Sequence, residues 1–134
     1  MERQALLFPQ PPGDPTLPAY AVNDVSGLGA FNFGQMDKPQ GVVIHHTGGG
    51  GTPEGIMNVF RQRGLATQYI MDREGNIHQA LPDGMRGQHI RPSQINGLTN
   101  ANTLGIEIIA KDDSDVTEKQ RDAAARWLTE TQAK

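Results

Sequence analysis

The sequence predicts an α/β domain in which a mixed β-sheet is flanked by helices. Three observations predict it. Two stretches, 41–46 and 104–110, are continuous apolar runs rich in β-branched residues, the pattern of strands buried on both faces. Two shorter apolar stretches flank Arg73-Glu74-Gly75-Asn76, a turn sequence with glycine where positive φ is expected, so they form a hairpin. Two segments combine a capping residue with apolar positions at helical spacing. The resulting order, β-α-β-β-loop-β-α, packs helices on a mixed sheet.

Residues 1–40 hold six of the nine prolines, five of them between Pro9 and Pro18. Proline lacks the N–H that helices and central strands use, so this stretch is expected as an extended N-terminal arm, with the domain proper at 41–134. Gly41-Val42-Val43-Ile44-His45-His46 is a buried strand that delivers histidine to a glycine-rich loop. Thr52, Pro53 and Glu54 supply a capping hydroxyl, a proline at the first helical position and an early acid, and Gly64 closes the helix. The hairpin pairs Tyr69-Ile70-Met71-Asp72 with Ile77-His78-Gln79-Ala80, and a longer loop with Gly84, Gly87, Pro92 and Gly97 leads to the strand at Leu104. Thr117-Glu118-Lys119-Gln120 fits a capping box, after which Ala123, Ala124, Trp127 and Leu128 make one helical face.

The 134 residues suit one domain. Twelve basic against fifteen acidic residues give a net charge of −3 with no block of like charge, which argues against nucleic acid as a partner. With no cysteine, a transition metal would rest on His, Asp or Glu. No apolar run approaches a membrane span, and the four-residue apolar stretch near the N-terminus is too short for the core of a signal peptide.

The candidate chemistry lies at strand ends. His45-His46-Thr47 closes a hydrophobic strand, and a rigid strand end holds an imidazole well for metal binding. The residues alone leave a second reading, in which one histidine caps the glycine loop and the other faces solvent. Glu107 interrupts an apolar strand, where an unpaired carboxylate is costly; it is a proton-handling group, a carboxylate on the solvent face of an edge strand, or one satisfied by an arginine such as Arg86 or Arg91. His89, in a glycine-containing loop, is a candidate substrate contact, whereas His78 is expected as an exposed hairpin residue without a role. The glycines 48–51 lack the Gly-Lys-Ser/Thr of a nucleotide-binding loop.

Taken together, Val42-Val43-Ile44-His45-His46-Thr47, Tyr69 through Ile77, Gly87-Gln88-His89 and Asn102-Thr103-Leu104-Gly105-Ile106-Glu107-Ile108 resemble the amidase-2 family. That family includes amidase-type phage lysozymes, muropeptide amidases and peptidoglycan recognition proteins. The resemblance implies an amidase fold that cleaves peptidoglycan between N-acetylmuramic acid and L-alanine, with a zinc ion bound by His45. It implies Glu107 as the residue acting on the attacking water, and His46, Thr47 and His89 along the substrate groove. The phage lysozymes use a tyrosine where this sequence has Thr67, which favours Glu107.

In the family the second and third zinc ligands follow the last long helix. The chain is therefore expected to lack the C-terminal part of the domain and to be inactive by itself, with the missing ligands on a C-terminal fragment or a second chain. An alternative is a peptidoglycan-binding module without catalysis. The lack of a signal peptide leads to the expectation of a phage lytic enzyme, associated with the virion or released from the host cytoplasm to the cell wall.

Overall fold

A computed structural model describes residues 3–7, 22–24, 33–90 and 97–132. Six strands form one mixed sheet: β1 (Arg3–Leu7), β2 (Val22–Asp24), β3 (Gly41–His46), β4 (Tyr69–Met71), β5 (Ile77–Gln79) and β6 (Thr103–Ile108), in the spatial order β1-β3-β6-β4-β5-β2. β3 and β4 flank β6 in parallel, β4 and β5 are the expected antiparallel hairpin, and β1 and β2 extend the sheet at its two edges. Both edge strands come from the stretch read as an extended arm, and all five prolines between Pro9 and Pro18 lie outside the described residues.

Helix α1 (Pro53–Arg63) has the predicted ends. The Thr52 hydroxyl accepts from the N–H of Gly55 at 3.1 Å, and Gly64 adopts a left-handed φ of 69° to stop the helix. Helix α2 (Glu118–Gln132) opens on a reciprocal capping box: the N–H of Gln120 donates to the Thr117 hydroxyl at 3.0 Å, and the N–H of Thr117 donates to Gln120 Oε1 at 2.9 Å. Neither helix is long and apolar enough to cross a membrane.

The main core lies between the sheet and α2. Val42, Met71, Ile77, Ile106 and Ile108 pack against Ala123 and Trp127, and the Trp127 indole meets the Tyr69 ring edge-on at 5.2 Å. The opposite face is covered in two places. Ile56 and Met57 of α1 pack on Ile70, Ala80 and Ile109, while Ile90 and Leu98 of the long loop pack on Val43.

The hairpin and α2 are locked together. Gln120 is fully buried, and its amide nitrogen donates to the carbonyls of Asp72 (3.1 Å) and Ile109 (3.0 Å), joining helix, turn and the end of β6. Gly75 sits under the first turn of α2 with φ of 83°, and a Cβ there would lie 2.8 Å from the Lys119 carbonyl oxygen. A side chain at this position meets both a backbone clash and an unfavourable φ. Gly75→Ala is therefore expected to lower stability by about 1–3 kcal/mol, as measured by denaturant unfolding.

Candidate functional site

Because β3 and β6 run parallel in the register His45 to Glu107, and alternate residues of a strand share a face, His45 lies beside Glu107. Val43, Thr103, Gly105 and Ile70 belong to the same face. His45 Nδ1 stands 3.8 Å from Glu107 Oε2, with both side chains almost wholly buried. Glu107 Oε1 has no hydrogen-bond partner among the described residues, and no arginine among them supplies one. Burial pushes the Glu107 carboxyl up to about 8, so it keeps its proton at neutral pH.

His89 completes the cluster from the long loop. Its Nδ1 lies 3.0 Å from His45 Nε2, the two rings meet edge-on, and its Nε2 lies 3.2 Å from the Thr103 hydroxyl. The loop that carries it is held by Asn100, itself buried, whose Oδ1 accepts from the N–H groups of His89 (2.8 Å) and Ile90 (3.0 Å). The His89 ring fits against β6 only because residue 105 is glycine. A Cβ there would lie 2.8 Å from His89 Nδ1 and 2.7 Å from the Thr67 hydroxyl. That hydroxyl, on a fully buried side chain, has no partner among the described residues.

Of the residues singled out in the sequence, the structure brings His45, His89 and Glu107 together. It does not bring His46 to them. Strand alternation turns His46 to the other face of the sheet, where its Nε2 meets the Asp113 carboxylate at 2.9 Å. Thr47 ties strand ends together: its hydroxyl donates to the Gly49 carbonyl at 2.8 Å and accepts from the N–H of Ala110 at 3.2 Å. His78 is more buried than expected, because its Nε2 pairs at 2.9 Å with Asp72, whose other oxygen caps the hairpin turn. Sequence reasoning passed over Asn100, Thr103 and Gly105 as individual residues. The alternation Thr103, Gly105, Glu107 could have placed Thr103 on the site face, whereas nothing local marks Asn100 as the residue that holds the His89 loop.

The resemblance to amidase-2 implies zinc, and a catalytic zinc needs three protein donors around one point. Among the described residues no three His, Asp or Glu side chains converge on a point that could hold a metal ion. The facing nitrogens of His45 and His89 lie 3.0 Å apart at hydrogen-bonding distance, and no third donor among the described residues joins them. The described residues therefore do not complete a metal centre.

A family model described as N-acetylmuramoyl-L-alanine amidase matches residues 35–134. No curated protein matches the chain at a significant level. Several solved structures share the fold. The N-acetylmuramoyl-L-alanine amidase LysC of Clostridium intestinale is 20% identical, with 86% of this chain covering 78% of that one at a TM-score of 0.61. The endolysin amidase LysCS of the same organism is 22% identical, with 84% of this chain, 75% of that one and a TM-score of 0.60. Drosophila peptidoglycan recognition protein SA is 18% identical, with 82% and 70% covered and a TM-score of 0.56.

The raised Glu107 carboxyl makes stability depend on pH. In the unfolded chain the group ionises near its ordinary value of 4.5, and in the folded chain near 8, so between these values only the folded state retains the proton. Its contribution is present below about 4.5 and is lost as pH rises towards 8. Glu107→Gln removes this dependence. The variant is expected to gain stability relative to the parent at pH 8 and to lose that advantage at pH 4.5, as read from denaturation midpoints at the two pH values.

Proposed function

Because the chain belongs to the N-acetylmuramoyl-L-alanine amidase family, we propose that it hydrolyses the amide bond between N-acetylmuramic acid and L-alanine in peptidoglycan. Family and fold together support a peptidoglycan-directed amidase or binding role. The observation that carries the catalytic reading is the buried pair of His45 and Glu107 on adjacent strands, 3.8 Å apart. Amide hydrolysis removes a proton from the attacking water and delivers one to the leaving nitrogen. A carboxyl that titrates near 8 is poised close to neutrality for both transfers, and Glu107 is the group assigned to them.

Zinc belongs to this reading as the family's usual cofactor, which would supply Lewis acidity to the scissile carbonyl. His45 is the residue assigned to it, and no set of described residues completes a centre around His45. His89 is assigned a place beside the substrate through its contact with His45. A lytic role, in a phage or a bacterium, is part of the proposal, and it draws support from the fold shared with an endolysin amidase.

The test is the release of new L-alanine amino groups from insoluble peptidoglycan in zinc-supplemented buffer. Glu107→Gln is expected to keep fold and peptidoglycan binding while losing about a hundred- to ten-thousandfold in turnover. His45→Ala is expected to abolish release. A zinc-loaded protein that binds peptidoglycan yet frees no amino groups overturns the catalytic reading and leaves a binding module.

With His45 as the one assigned donor, residues 1–134 are expected to take up zinc weakly in equilibrium dialysis followed by metal analysis. Stoichiometric zinc that survives a chelator would show that this donor assignment is wrong.

A further inference from the structure

We propose that Thr103 is a positioning residue whose hydroxyl, acting through His89, decides which ring nitrogen of His45 carries the proton and which one faces Glu107. The functional half of this rests on the amidase reading above.

The polarity of the hydrogen-bonded chain follows from its far end. The Thr103 hydroxyl lies 2.7 Å from the Thr99 carbonyl oxygen, which only accepts, so the single hydroxyl hydrogen is spent there. The Thr103 oxygen is then an acceptor for His89 Nε2 at 3.2 Å, and that nitrogen carries a hydrogen. In a neutral imidazole the other nitrogen has the lone pair, so His89 Nδ1 accepts from His45 Nε2 at 3.0 Å. His45 Nδ1, 3.8 Å from Glu107 Oε2, is left as the lone-pair nitrogen.

Each member is fixed from outside the chain. Asn100 holds the backbone of His89, Gly105 leaves the space its ring fills, and Thr103 is fully buried on the strand that carries Glu107. Reversing the polarity would take the 2.7 Å Thr103 donor from the half-buried Thr99 carbonyl and leave it only the longer 3.3 Å bond from the N–H of Asn102, which is unfavourable. A hydrogen bond to one ring nitrogen is the ordinary means of selecting a histidine tautomer, and here the selection is passed along two rings.

The experiment is nitrogen NMR of the imidazole rings in histidine-labelled protein, combined with the amino-group release assay. The parent is expected to show the proton on Nε2 of both His45 and His89. This spectrum needs no variant to fold, and a proton on Nδ1 of either ring in the parent overturns the proposal. Thr103→Val keeps the shape but removes the acceptor. It is expected to bring the Nδ1–H tautomer into the His45 spectrum and to lower kcat about 10- to 100-fold with KM unchanged. Thr103→Ser is expected to restore both the tautomer and the rate. Parental tautomers in Thr103→Val, or no rescue by Thr103→Ser, overturn the positioning role. A zinc-loaded parent that is inactive while showing the expected tautomers overturns the amidase reading and leaves the tautomer assignment standing.

Discussion

The parallel pairing of β3 with β6 is the constraint on which the rest depends. Its register sets His45 opposite Glu107, and the two-residue period of strands sends both side chains to the same face. A shift by one residue would turn His45 into the core against α2 and bring His46 to the site face in its place. The apolar residues of β3 make that shift costly, since Val42 and Ile44 would leave the core with it. The hydrophobic pattern that builds the sheet therefore also aligns the chemistry.

Around that pair, the fold meets the cost of buried polarity with side chains that take over where regular backbone pairing stops. Gln68 is an example: its amide oxygen accepts from the N–H of Gly105 at 2.7 Å and its nitrogen donates to the Met85 carbonyl at 3.1 Å, fastening the loop before His89 to β6. Asn100 does the same on the other side of His89, and Gln120 does so for the hairpin and α2. Arg73 bonds the carbonyls of Ile109 and Asp115, holding the short 3-10 turn Asp113–Asp115 beside the end of β6. These contacts keep Glu107 and His45 in fixed places on a rigid sheet, the setting in which small displacements would otherwise erode proton transfer.

Against this scaffold Glu107 stands out because no arginine or lysine among the described residues pairs with it. Its second oxygen has no partner among the described residues, and desolvation holds its proton to about pH 8. Fold likeness at 18–22% identity extends to amidases and to a recognition protein alike. Fold and function are separable, so the chemistry has to be argued from these side chains and their geometry.

Much of this was legible in the sequence because it is local. Thr52 and Gly64 bracket α1, Thr117 and Gln120 open α2, and Gly75 turns the hairpin, each through contacts only a few residues apart. The apolar runs around His45 and Glu107 declared two buried strands, and Glu107 announced itself as a carboxylate where none should be. What the tertiary structure alone decided lies in long-range register. His45 and His46 are adjacent in sequence and equal in chemistry, yet alternation against β6 sends one to Glu107 and the other to Asp113. His89, Asn100, Thr103 and Gly105 meet around His45 from more than forty residues away, and only the packed sheet and loop make a hydrogen-bonded chain of them. Their partners are set by distance in space, which residue spacing does not encode.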